Sequence, residues 1–384
     1  MRGSADTTER ILTGIQRWAA MESPSNRPDH VARLVDHVAA HLESLGARCE
    51  RVDLGPACAR PVVARFNPHL AGQTNGILIL GHLDTVHPLG SVNGAMPIRI
   101  EGNRLYGPGV MDMKGGVYLA VDALEQLERQ GALPEAPITV LLNTDEEIGS
   151  PYSRSLIERE AARHGFVLVP EPVRDGCAVI GRHAFARYEI TTRGTPAHAG
   201  ADNASGRSSI RAMAAVIERL ESLTDMGRLV SFSVGVIAGG DFVNVVPVEC
   251  RAEVLAVAST ADNLRFVESV MNDVPTWTPD VGVEVVTGPR RPLFLPSEGT
   301  MWMLEQARTI GAEIGLSIGG RISGGGSDGN FTGALAVPTL DGIGVAGGGP
   351  HTRGEHLEID TLARRAELLR RMIVRLSGSE SRPH

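Results

Sequence analysis

Near Arg182 the hydrophobic pattern of the chain changes character, and this argues against a single-domain fold. Upstream, apolar runs of strand length at 61–66, 76–80 and 138–142 alternate with helical stretches. Ile11, Leu12, Ile15 and Trp18, then Val31, Leu34, Val35, Val38, Leu42 and Leu45, recur at the three-and-four spacing of a buried helical stripe, and a further helix is expected over 113–130. The second helix has Pro28 near its start and Gly46 just past its end. Such alternation specifies an α/β fold. Downstream of Arg182 the expected order is strand (185–191), helix (209–223), strand (230–237), strand (250–257), helix (261–272) and strand (281–286). After Pro292 the α/β character returns, with a helix near 301–314 and a last one through Leu362, Leu368, Leu369 and Ile373.

The order βαββαβ is the split unit of ferredoxin-like α+β domains, and it accounts for about 110 residues, an ordinary domain size. A chain of 384 residues also exceeds what one core supports. The expected organisation is therefore a first domain, 1–181 with 293–384, interrupted by an inserted domain, 182–292. A net charge of −8 with no compact run of Lys or Arg disfavours nucleic acid and anionic membranes as partners. Four cysteines lie far apart with no CxxC pair, so neither a thiolate metal site nor a disulfide framework is expected, and a reduced, cytoplasmic setting is. Glu9, Arg10 and Arg17 interrupt the opening segment, unlike a secretory signal, and no stretch approaches the roughly 20 apolar residues of a membrane span. Lys114 is the only lysine.

Candidate chemistry sits at the ends of apolar runs. The run from Gly76 delivers His82 and, two residues later, Asp84, at the edge where open α/β sheets bind ligands. A neutral imidazole is a good zinc ligand, and a carboxylate beside it fixes its tautomer. Asp112 lies in a glycine-rich segment before the third helix, where a helix cap is its ordinary role. The run from Ile138 ends in Asp145, Glu146 and Glu147, acids that repel one another unless a cation or protons neutralise them. Glu171 follows the strand 166–169, and His351 follows a glycine run. Singly, each has an ordinary surface or loop explanation. Together they match the charge of a two-metal hydrolase, in which two divalent cations are offset by three carboxylate ligands and a bridging hydroxide while a fourth carboxylate stays free as base. Imidazole and carboxylate ligands favour zinc, with cobalt or manganese as alternatives.

The motifs GHLDTV, YGPGVMDMKGG, NTDEEIGS, PEP, GTPAHAG, GGGSDGN and GGGPHTRGEH run from residue 81 to residue 356. In these motifs and their order the chain resembles the dinuclear zinc aminoacylase and carboxypeptidase superfamily over nearly its whole length. That superfamily includes glutamate carboxypeptidase, tripeptidase T, acetylornithine deacetylase and succinyl-diaminopimelate desuccinylase, and the motifs are nearest those of glutamate carboxypeptidase. The resemblance implies a zinc-exopeptidase-like catalytic domain with a mixed sheet flanked by helices, and an inserted lid and dimerisation domain. It implies two zinc ions, His82 with Glu171 on one and Glu147 with His351 on the other, bridged by Asp112. Asp84 would partner His82, and Glu146 would be the general base acting on the bridging water.

For the inserted domain, the resemblance implies His198 as donor to the developing oxyanion, reaching across from the partner subunit of a homodimer, and Asn244 as a substrate contact. Arg291 would hold the substrate carboxylate, with Arg290 as adjacent competitor, and Gly325, Gly326 and Ser327 would add backbone donors. One departure concerns the side chain recognised. Glutamate-specific relatives carry a lysine shortly after the PEP segment, and residues 173–182 here contain Arg174, Cys177 and Arg182 but no lysine. The activity implied is amide hydrolysis next to a free carboxylate, releasing a C-terminal amino acid from peptidyl or N-acyl substrates. N-acyl amino acid deacylation is the alternative, and an inactive binding protein of the same fold a more distant one.

Overall fold

The computed structural model describes residues 2–71, 76–275 and 278–378. The chain folds into two compact units. The first comprises 1–181, 294–323 and 327–384, and the second 182–293 with 324–326. The short segment Gly324–Gly326, expected in the first domain, thus belongs with the second unit. The cause is local: Arg182 donates from Nη1 to Gly325 O at 2.9 Å, and a Cβ on Gly326 would lie 2.2 Å from Phe185 Cε1 and 2.8 Å from Arg291 Cδ.

The first unit is built on an eight-stranded mixed sheet in the order Arg48–Arg51, Val62–Phe66, Ile138–Asn143, Ile77–His82, Phe166–Val169, Thr339–Asp341, Cys177–Arg182, Gly319–Ser323. Its centre is parallel: Ile77–His82 pairs in parallel with Ile138–Asn143 on one side and with Phe166–Val169 on the other. Every residue of these three strands is buried, as continuous apolar runs covered on both faces require. Helices provide the cover. Arg2–Ala20, Lys114–Arg129 and Leu362–Ser377 pack on one another, with Trp18 and Tyr118 meeting edge to face at 4.9 Å. Pro28–Ser44 buries Val31, Leu34, Val35, Val38 and Leu42 and ends before Gly46, whose φ of +87° suits glycine. Lys114 is fully buried, its Nζ donating to Met21 O at 2.9 Å, and burial pushes its pKa down to about 8.

A second, four-stranded antiparallel sheet in this unit is not foreshadowed by the sequence pattern. It runs Gly347–Gly348, His356–Glu358, Arg104–Tyr106, Arg99–Glu101. Strands of two or three residues are too short to show periodicity, yet this sheet carries the segments leading to Asp112 and His351.

The second unit is an antiparallel sheet in the order Val230–Gly239, Glu249–Ala258, Ala184–Arg193, Gly282–Arg291, with helices Ser209–Ser222 and Ala261–Asn272. Counted along the chain, the strands lie second, third, first, fourth, the ferredoxin-like arrangement. Glu249–Ala258 alternates buried and solvent-facing residues, and Tyr188, Ile190, Met213, Val216, Val254 and Met271 share its core. Ser208 and Thr260 cap the helices by accepting from Arg211 N and Asn263 N, each at 3.1 Å. Among the described residues, no helix is long and apolar enough to cross a membrane.

Candidate metal centre

Three adjacent parallel strands deliver the first group of side chains at their carboxyl ends. His82 closes the middle strand, Glu146 and Glu147 follow its neighbour Ile138–Asn143 in a 3-10 turn, and Glu171 follows Phe166–Val169 on the other side. Adjacency in the sheet, not in sequence, brings them together. Asp112 and His351 arrive from the small sheet. Asp112 does not cap the helix Lys114–Arg129, whose N-cap is Met113, so its carboxylate is free of that ordinary role. The Asp112–Met113 peptide is cis, and His351 has a φ of +61°.

The two oxygens of Asp112 face different histidines: Oδ1 is 3.4 Å from His82 Nε2, and Oδ2 is 3.2 Å from His351 Nε2. Glu171 Oε1 lies 3.8 Å from His82 Nε2, and Glu147 Oε2 lies 3.2 Å from His351 Nε2. Two His–Glu pairs, His82 with Glu171 and His351 with Glu147, therefore flank one carboxylate. His82, Asp112 and Glu147 each offer a ligand atom within 4.8 Å of the others.

Behind the centre, His82 Nδ1 is 2.9 Å from Asp84 O and 3.5 Å from Asp84 Oδ1, so the carbonyl is the closer acceptor. The Asp84 carboxylate, fully buried, accepts from Ser25 Oγ at 2.7 Å and from the backbone N–H groups of Glu146 and Glu147, each at 3.2 Å. It thus fixes the turn carrying both glutamates as well as the histidine.

The electrostatics of the cluster fit a cation. Burial opposes charge on His82, but Asp112 and Asp84 outweigh it and hold its pKa well above the ordinary value. Asp112 and Glu147 push His351 up to about 10. Burial, reinforced by Asp112, raises Glu171 well above the usual carboxylate range, and burial raises Glu147. Burial pushes Asp112 the same way, yet His351 and His82 overrule it and hold it low. Like charges this close must be neutralised by protons or a metal. Among the described residues, His82 Nε2 and Glu147 Oε1 are buried with no hydrogen-bond partner, and both belong to this cluster. A donor set of imidazole and carboxylate with these orphaned atoms fits a divalent ion.

The sequence signature of peptidase family M20/M25/M40 matches residues 78–375. The chain belongs to this family. Carboxypeptidase G2 of Pseudomonas sp. (strain RS-16) is 26% identical over 394 residues, covering 99% of this M20 chain and 92% of that protein. A succinyl-diaminopimelate desuccinylase of Verminephrobacter eiseniae (strain EF01-2) is 29% identical, covering 92% of this chain and 94% of its own. In fold, the crystal structure of a tripeptidase from Staphylococcus aureus superposes with a TM-score of 0.76 at 20% identity, covering 97% of this chain and 99% of that one. This M20 protein is thus a metallohydrolase with a zinc-exopeptidase-like mixed sheet and a ferredoxin-like second unit.

In the second unit of the M20 chain, His198 is exposed, and its Nδ1 accepts from Gly200 N at 3.2 Å and Ala201 N at 3.0 Å. Asn244, also exposed, holds the same loop through its carbonyl, which accepts from Ala199 N at 2.9 Å. Arg291 is buried at the end of its strand with its guanidinium 5.9 Å from the Phe185 ring, while Arg290 is exposed and 3.7 Å from Glu268. Ser327, in the first unit, donates its N–H to Asn330 Oδ1 at 3.0 Å and its hydroxyl to Asp341 Oδ2 at 2.5 Å. Sequence reasoning missed Ser25, His87 and Glu355, buried or half-buried polar residues in irregular segments that lack any periodic signal.

Proposed function

We propose that the protein is a two-zinc amidohydrolase that releases a C-terminal amino acid from peptidyl or N-acyl substrates bearing a free carboxylate. The observation that carries this reading is the shared Asp112 carboxylate between His82 and His351. His82 and Glu171 would hold one ion, Glu147 and His351 the other, and Asp112 both. When bound, such ions lower the pKa of water and offset charge that develops on the substrate oxygen.

The chain's own groups would do the rest. Glu146, beside the ligands and held through its N–H by Asp84, takes the proton of the attacking water and returns it to the leaving amine. His198 accepts backbone N–H groups at Nδ1, so its neutral ring carries its proton on Nε2, the form needed to donate to an oxyanion. In this reading it acts from the partner subunit of a homodimer. Arg291 binds the substrate carboxylate with the help of Gly325 and Gly326, and Asn244 contacts the substrate. Cobalt or manganese could replace zinc. Glutamate is one candidate for the released residue, and carboxypeptidase G2 is the relative that recommends the peptidase form.

Similarity to a desuccinylase favours a second reading, N-acyl amino acid deacylation by the same centre. A release assay over peptidyl and N-acyl amino acids, each with its α-carboxylate free or amidated, tests both. Hydrolysis confined to the free acids is expected, and equal turnover of amidated substrates would overturn the assignment. The preferred acyl group then separates peptidase from deacylase.

A further inference from the structure

Glu355 is 1% exposed, and its carboxylate is met by one loop and one histidine. Met111 N and Asp112 N donate to Oε1 at 2.9 and 3.0 Å, and Gly109 N donates to Oε2 at 3.2 Å. His87 Nε2 lies 2.5 Å from Oε2, and the Glu355 carbonyl accepts from Gly107 N at 3.4 Å. His87, itself 7% exposed, sits on the segment leaving the strand that ends at His82, and Glu355 on the segment leaving His351. One buried carboxylate therefore joins the three segments that present His82, Asp112 and His351, while its hydrogen bonds run to backbone and His87 instead of to any ligand side chain.

We propose that Glu355, oriented by His87, is a positioning residue for the metal centre, a role that rests on the two-ion reading above. An aspartate has a short side chain, so the place of its carboxylate is set chiefly by its backbone. Three N–H groups converging on one anion form bonds stronger than neutral ones and hold the 107–112 loop in a single conformation. With the loop fixed, the Asp112 carboxylate stands between the two histidines before any ion arrives. Without that clamp, each binding event has to order the loop first, and affinity falls.

Glu355→Gln keeps the shape but replaces one oxygen by an amide NH2, so one pair of donors loses its acceptor. We expect its dissociation constant for Co2+ or Zn2+, measured by chelator competition, to rise about 10- to 100-fold, the range for groups that support metal ligands from behind. His87→Leu removes the donor and should weaken binding in the same direction, whereas His87→Gln retains an N–H and should restore it toward wild type. Circular dichroism and the melting temperature of the metal-free proteins are followed in parallel. Wild-type affinity in both Glu355→Gln and His87→Leu overturns the proposal, as does equal loss in His87→Leu and His87→Gln. Should Glu355→Gln fail to fold, the His87 pair decides alone. If the wild-type protein itself retains no divalent ion, the two-ion reading fails and this role with it. Metal-binding wild type with unaffected variants removes only the clamp.

Discussion

Two histidines of this protein are held in opposite tautomers. A carbonyl can only accept, so His82 Nδ1, 2.9 Å from Asp84 O, keeps its proton, and the proton lost when the ring becomes neutral is the one on Nε2, the nitrogen that faces Asp112 and Glu171. His198 is the reverse, with Nδ1 accepting and Nε2–H exposed for donation. The first arrangement suits ligation and the second suits hydrogen bonding to developing negative charge. His198→Ala should therefore lower kcat by roughly 10² to 10³ with metal content unchanged. Loss of metal in that variant would contradict the assignment. Glu146→Ala should retain metal, since its neighbours remain, and lose about 10² to 10⁴ in turnover. Undiminished activity, scored beside metal analysis, would remove Glu146 as the base. His351 supplies a pH test. Its pKa in the metal-free protein is pushed up to about 10, above the roughly 6.5 of an unfolded histidine. The resulting stabilisation is complete below the lower value and is lost as pH rises through the upper one. Melting temperatures of metal-free protein should accordingly fall between about pH 6.5 and 10, and a flat profile would count against the Asp112–His351–Glu147 contact.

At the scale of elements, the centre depends on how closely a helix approaches a strand end. A Cβ on Gly116, in the helix Lys114–Arg129, would sit 1.8 Å from Pro170 O, and one on Gly344 would sit 2.1 Å from the same oxygen. Both glycines press on the residue before Glu171. Gly116→Ala should cost about 1 to 3 kcal/mol of stability by overpacking, and should also weaken metal binding by displacing Glu171. Thermal melts and metal titration of the variant check the two effects separately. The same elements explain what is legible in the sequence. His82, Glu147 and Glu171 stand out because each follows an apolar run that has to be a buried strand. Asp112 and His351 hang from strands of two or three residues and are recognisable only through their glycine-rich motifs. Glu355 and His87 belong to no periodic element, and only the folded chain reveals that backbone N–H groups converge on Glu355 and that His87 meets the same carboxylate. The order of elements over 182–292 is legible because strands such as Ala184–Arg193 and Glu249–Ala258 alternate and two of the helices carry Ser and Thr caps. The placement of 324–326 is not, since three glycines carry no side chain that names a core.

For the whole molecule, the two-ion reading makes metal loading a proton-releasing event. His82 and His351 are held above the ordinary histidine value and Glu171 above the ordinary carboxylate range, whereas ligands bind metal in their deprotonated forms. Calorimetric titration of metal-free protein near pH 7 should give heats that depend on the ionisation enthalpy of the buffer, and identical heats in phosphate and Tris would refute this. Because each unit has its own apolar core, chelation should lower the melting transition of the first unit and leave that of the second in place. The solitary lysine has a practical consequence. With Lys114 sealed inside and every other cationic side chain an arginine or histidine, succinimidyl dyes, amine-coupled sensor chips and lysine-bridging crosslinkers find no lysine to grip on the native surface, whereas an unfolded chain offers one. Acylation at that single position is therefore a ready reporter of opening around the helix that begins two residues beyond the shared aspartate.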